Sequence, residues 1–206
     1  MDGKHTSRIV VVAGCGRCGS SLLMRMLHAG GIECFADNHD SFEHPVVMQL
    51  PRRTEWLKDV VGKAVKVLDP ERSRLPTRCD WSYDFIWLSR NHYEQAKSQA
   101  KILRVFNGFH LNASHMHRLE RSLERDNRRV PEWLRLNYCA KGRSSRILRM
   151  RFEQLIRSPR ESAEQVAAFL TSHGILNTEA MAGQVVPREV ECLDGLLELV
   201  LTKEPR

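Results

Sequence analysis

The sequence lacks any apolar run long enough to cross a membrane. Its first hydrophobic stretch, Ile9–Ala13, is far short of the ~20 residues a spanning helix needs. It is also too short for a signal-peptide core, and the start Met1-Asp2-Gly3-Lys4-His5 mixes an acid with bases. A soluble, cytoplasmic protein with no membrane partner is therefore expected. Aromatic residues make up only 7% of the chain, and none interleave with the arginines between residues 118 and 160 in the manner of a nucleic-acid surface. Acids alternate with those arginines, so a solvated helical face is expected there, and no nucleic-acid partner. Internal repeats, low-complexity segments and linkers are absent, which leaves residues 1–206 as a single domain. The histidines 110, 115 and 117 lack a Cys or acid at ligand spacing, so no metal site is expected. Six cysteines are present, but a chain of 206 residues builds its own core, and free thiols are expected.

What the chain has is charge of one sign. Lys and Arg number 32 against 25 for Asp and Glu, a formal net charge of +7 that suits an anionic ligand. Arg8–Ala13 reads as a buried parallel strand, and Gly14-Cys15-Gly16-Arg17-Cys18-Gly19 as a glycine-rich loop. Ser20–Ala29 has a helical pattern stopped by Gly30-Gly31, and Ile32–Ala36 is a second strand. Further strands are expected at Lys63–Leu68, Asp84–Ser89 and Ser145–Arg151. Helices are expected over Asn91–Arg104 and 114–129, another opening at Val130-Pro131, and a last one near Leu193–Leu201. Ser158-Pro159-Arg160-Glu161 reads as a capping box, and Gly174 as the stop of the helix that follows. Strands alternating with helices indicate an α/β fold: a three-layer, doubly wound domain with a central parallel sheet and a P-loop-like phosphate loop.

The loop admits three readings. Gly14, Gly16 and Gly19 fit the G-x-G-x-x-G dinucleotide pattern, with Asp37 placed 18 residues on to bind a ribose, which would make an NAD(P)-dependent oxidoreductase. Gly14 and Gly19 also have nucleotide-triphosphatase spacing, but Ser20 stands where the phosphate-binding lysine belongs. In the third reading the cation moves to Arg17. Arg17-Cys18-Gly19-Ser20-Ser21-Leu22-Leu23 resembles the Arg-Ser-Gly-Thr-Thr-Leu-Leu loop of the sulfotransferases that use 3′-phosphoadenosine 5′-phosphosulfate (PAPS). Phe85–Arg90 followed by Ser98 is similar to that family's 3′-phosphate motif. Arg149–Pro159, with Ala168-Phe169-Leu170, is similar to its later strand–helix segment.

The resemblance spans about residues 8–172 and leaves 105–144 unmatched. It implies sulfuryl transfer from PAPS to a hydroxyl or amine acceptor, with 3′-phosphoadenosine 5′-phosphate (PAP) as product and no metal. It assigns donor binding to Gly16, Arg17, Cys18, Gly19, Ser20, Ser21, Arg90 and Ser98, and catalysis to Arg17, Lys66 and Asp37. His39, Glu43 and Asp69 follow Asp37 as proton acceptors, because the family's histidine two residues after the lysine is Leu68 here. The family's glycine-rich C-terminal segment is missing, and Arg143 or Arg146 is the candidate replacement. A member that binds the nucleotide without turnover is the remaining alternative. The acceptor and the oligomeric state are not legible.

Overall fold

The computed structural model describes residues 7–108, 110–140 and 144–186. Five parallel strands, β1 (Arg8–Gly14), β2 (Cys34–Phe35), β3 (Ala64–Leu68), β4 (Ser82–Ser89) and β5 (Arg146–Arg151), lie in the order β2-β3-β1-β4-β5. Strand periodicity of two divides the core. Val10 and Val12 face a layer built on α1 (Ser20–Ala29), α4 (Phe152–Arg157), α5 (Pro159–Phe169) and α6 (Thr178–Ala182). Ile9, Val11 and Ala13 face a second layer carrying α2 (His92–Asn107) and α3 (Ala113–Leu134). This is the expected α/β, doubly wound arrangement. β1 is buried along its whole length, which is why it reads as an unbroken apolar run rather than an alternating one.

Helix ends follow the side chains that satisfy their free N–H groups. Asn91 Oδ1 accepts from Glu94 N at 3.1 Å to start α2, and Asn112 Oδ1 accepts from His115 N at 2.9 Å to start α3. Several details differ from the sequence reading. The second strand shortens to Cys34–Phe35, which among the described residues is an edge strand paired with β3. Pro131 does not open a helix but lies inside α3, which runs on to Leu134 and then into a π-helical turn over Arg135–Cys139. The lost Pro131 N–H bond is tolerated because Leu123, Val130 and Leu134 are buried on one face, so packing outweighs the break. Ser158 makes no side-chain cap. Its backbone closes α4 through Ser158 N to Gln154 O (2.9 Å) and opens α5 through Ser162 N to Ser158 O (2.9 Å), so one residue joins two helices. Gly174 follows a 3₁₀ turn over Thr171–His173 rather than α5 itself. The helix expected near Leu193–Leu201 lies outside the described residues.

At the N-terminal end of the sheet a buried carboxylate ties three elements together. Asp84 is fully buried on β4 and accepts from Arg8 (Nε 2.7 Å, Nη2 2.5 Å) and Arg146 (Nε 2.8 Å, Nη2 3.0 Å), with His173 Nε2 at 3.1 Å. Arg146 is therefore committed to the end of the sheet opposite the glycine loop. That corrects its expected role in a phosphate pocket. Arg143 lies outside the described residues.

Candidate functional site at the glycine loop

β1 has β3 on one side and β4 on the other, and the chain winds away in both directions. The C-terminal ends of β1 and β4 thus border the switch point where open α/β sheets bind ligands. The loop from Cys15 to Gly19 sits there. Its glycines are set by space and backbone. A Cβ on Gly14 would lie 2.6 Å from the Leu88 carbonyl oxygen of β4. Gly19 has φ 98°, and a Cβ there would lie 2.2 Å from the Phe152 ring. Arg17 also adopts positive φ (69°), a strained setting for a residue with a side chain.

Two glutamines of α2 fix the first half of the loop. Gln95 Nε2 donates to Cys15 O (3.0 Å) and Gly16 O (2.9 Å), and Gln99 Nε2 donates to Gly16 O (2.7 Å). These bonds turn the carbonyls toward α2. The N–H groups of Gly16, Arg17 and Gly19 make no hydrogen bond among the described residues. Together with the positive end of α1 they form a concave set of donors suited to a phosphate or sulfate.

Arginines and a serine gather on one side. Arg17 Nε donates to Ser98 Oγ at 3.1 Å, and Arg90 Nη1 donates to Arg17 O at 3.5 Å. The Arg90 guanidinium rests 4.9 Å from the centre of the Phe152 ring, the ring that fills the space left by Gly19. Burial lowers the pKa of Arg90, and Arg17 pushes the same way against the nearby Glu94 and Glu153. Two guanidiniums held close together favour an anion between them.

On the other side stands Lys66. Alternation along β3 sends Val65 and Val67 to the α2/α3 layer and Lys66 to the α1 layer. It is buried rather than facing water. Its Nζ donates to Ser41 O (2.5 Å), Glu43 Oε1 (2.9 Å) and Ser21 Oγ (3.3 Å), while Ser21 Oγ donates to Ser41 O (3.0 Å). An ammonium thus reaches the first turn of α1, where the sequence lacks the lysine of a nucleotide-triphosphatase loop. Ser20 is buried beside Cys18, and burial pushes the Cys18 thiol up to about 11.

Asp37 donates its backbone N–H to Glu43 O (3.0 Å), but its carboxylate turns to His44 rather than to Lys66. Its carboxylate lies 3.1 Å from His44 Nε2, and His44 Nδ1 accepts from Val46 N, which leaves the ring proton on Nε2 for Asp37. The acid that contacts Lys66 is Glu43. Asp37 also follows β2, and β3 separates β2 from β1. A ribose-reading acid belongs at the end of the strand beside β1, and Asp37 follows a strand one spacing, about 5 Å, farther across the sheet. The dinucleotide reading loses its second element for that reason. His39 packs at a tilt against His28 (4.8 Å between ring centres) and edge-on against Phe42 (5.4 Å). The sequence reading ranked Glu43 behind Asp37 and missed Gln95 and Gln99. Their spacing of four places both on one face of α2, and that was the available signal.

No protein-family profile matches the chain, and no curated protein matches it. Solved structures similar to it include the following three. One is retinol dehydratase in complex with androsterone and the inactive cofactor PAP, with 15% identity over 85% of this chain and a TM-score of 0.49. This chain covers 62% of that protein's length. Another is a sulfotransferase from Alicyclobacillus acidocaldarius, at 14% identity, 95% of this chain, 91% of that one and a TM-score of 0.47. A third is a sugar kinase from Janibacter sp. HTCC2649, at 15% identity, 87% of this chain, 99% of that one and a TM-score of 0.38. The functional reading therefore rests on this chain's own residues. No helix among the described residues is long and apolar enough to cross a membrane.

Proposed function

We propose that the protein transfers a sulfuryl group from PAPS to a hydroxyl or amine acceptor. The observation that carries this reading is the meeting of Arg17, Arg90 and Ser98 at the mouth of the glycine loop, through contacts spanning 73 and 81 residues of sequence. The resemblance to PAPS-using sulfotransferases assigns those same residues to the donor's phosphates.

The chemistry asked of the protein is positioning and charge stabilisation. The loop N–H groups and Arg17 hold the 5′-phosphate whose bridging oxygen departs. Arg90 and Ser98 hold the 3′-phosphate, which fixes the donor's direction in the crevice. The Lys66 ammonium, supported by Ser21, stabilises charge that develops on the far side of the loop as the sulfur–oxygen bond breaks. Lys66 is buried, and its three acceptors fix the ammonium beside the first turn of α1.

Calorimetry with PAP tests the reading. The wild-type protein is expected to bind, while Arg17→Ala and Arg90→Ala each lose about 10- to 100-fold in affinity, the equivalent of one charged hydrogen bond. No heat at millimolar PAP with folded protein, or equal affinities in all three proteins, refutes the site.

A further inference from the structure

A cavity of about 500 Å³ opens between the glycine loop and α3, lined by Cys15, Gly16, Asp69, Trp87, Leu123 and Val130 among others. That volume falls in the ~300–1,000 Å³ range of small-molecule sites. We propose that this cavity receives the acceptor as an uncharged hydroxyl compound, and that Asp69 takes the hydroxyl proton. The proposal rests on the sulfuryl-transfer reading.

Asp69 is held in place by its backbone. It has positive φ (47°), which is uncommon for a residue with a side chain and frequent at functional sites. Its N–H donates to Gly14 O at 3.1 Å, so the turn after β3 is pinned to the start of the glycine loop. Its carbonyl accepts from Arg72 N (2.8 Å) and Ser73 N (3.1 Å). All of these contacts use the main chain. The carboxylate makes no hydrogen bond or ion pair among the described residues.

The other acids near the loop are committed. Glu71 and Asp126 hold Arg129, and Glu43 holds Lys66. Arg125 also pairs with Asp126, so the cavity's three acids (Asp69, Glu71, Asp126) are matched by its three arginines (Arg72, Arg125, Arg129), with no spare charge to recognise an ionic acceptor. Trp87, Leu123 and Val130 supply an apolar wall. Most of the remaining lining is polar, and the buried Trp87 Nε1 has no hydrogen-bond partner among the described residues, so a neutral molecule that carries a hydroxyl group beside an apolar part matches that balance. Burial raises the Asp69 pKa, against a smaller opposing effect of Arg72, which brings the carboxyl closer to the range useful to a base at neutral pH. Cys15 on the same wall does not compete as a nucleophile, because burial, with Asp69 adding to it, pushes its thiol up to about 12.

The step balances. The acceptor oxygen forms a bond to sulfur as the bond from sulfur to the bridging phosphate oxygen breaks, and the departing electron pair stays on PAP. The hydroxyl proton passes to Asp69 and then to solvent. The products are a sulfate monoester, PAP and one proton.

The test uses the full chain with benzyl alcohol, phenol and cyclohexanol as probes. With saturating PAP, ligand-observed NMR is expected to show saturable millimolar binding of at least one probe. Ser122→Trp, a rim substitution that fills the cavity, abolishes that binding and leaves PAP affinity within twofold. With sulfur-35 PAPS the wild type sulfates the bound probe. Asp69→Asn makes at least 100-fold less product while both ligands still bind, and the acid limb of the rate–pH profile disappears. Failure of every probe to bind, failure of the wild type to sulfate a bound probe, or an Asp69→Asn rate and pH profile like the wild type's overturns the proposal. Loss of PAP binding by the wild type instead overturns the sulfuryl-transfer reading, and this proposal with it.

Discussion

Asp84→Asn is expected to be the most destabilising conservative substitution in the sheet. The asparagine fits the space but removes the charge, and it turns an NH₂ toward two guanidiniums. Asp84 is fully buried and Arg8 is only 7% exposed, so water cannot take over the contact. Leaving a buried guanidinium without its counter-charge costs about 3–5 kcal/mol. The half-exposed Arg146 adds less, because solvent screens it. Such a loss is a large part of the ~5–15 kcal/mol that holds a domain together. Urea unfolding followed by tryptophan fluorescence measures it as a fall in midpoint at constant slope. A change below about 1 kcal/mol would refute the reasoning.

The pH dependence gives a second check on the same group. Burial alone would raise the Asp84 pKa, but hydrogen bonds from His173, Arg8 and Arg146 outweigh it and hold the carboxyl well below its usual range. A depressed native pKa means the unfolded chain binds the proton first. The stabilisation is therefore complete above about pH 4, the unfolded carboxyl value, and is lost as the pH falls toward the native pKa. Acid unfolding of the wild type should be steep there, and Asp84→Asn should flatten it. The double substitution Arg8→Met with Asp84→Leu should recover much of the lost stability, since a packed apolar pair replaces a buried ionic one at little cost. None of these changes touches the glycine loop, about five strand residues or ~16 Å away along β4. PAP affinity should therefore be unchanged in whatever fraction remains folded.

Two further outcomes follow from the loop and its surroundings. Gly19→Ala combines a positive φ with a contact 2.2 Å from Phe152, and should lower stability by about 1–3 kcal/mol and displace the ring under Arg90, weakening PAP binding as well; a variant with wild-type melting and affinity would contradict this. Burial pushes the thiols of Cys15, Cys18 and Cys34 up to about 12, 11 and 12, so iodoacetamide at pH 8 should leave all three unmodified in the native protein and alkylate them after denaturation, as read by peptide mass spectrometry.

The sequence and the structure agree most closely where the signal is local. The apolar run of β1, the glycines after it and the helical spacing of Leu23, Met26 and Leu27 act within a few residues, so periodicity and turn chemistry suffice to read them. Agreement fails at Pro131 and, for the side-chain cap alone, at Ser158, since α5 does start at Pro159 as its sequence signals. Both carry strong local signals, and both are overridden by what surrounds them: a buried helix face in one case and a directly preceding helix in the other. Asp84 shows the same limit. It looked like the first residue of an apolar strand, and nothing near it in sequence announced Arg8 and Arg146 as partners.

By itself, then, the sequence determined the alternation of strands and helices, the glycine loop, and the residue types gathered for an anion. Only the tertiary structure decided which acids stand near that loop. Strand order is set by pairing between segments far apart in the chain, and no local pattern encodes it. Placing β3 between β1 and β2 carries Asp37 away to His44, brings Lys66 under Ser21 beside Glu43, and sets Asp69 against Gly14 at the edge of an open cavity.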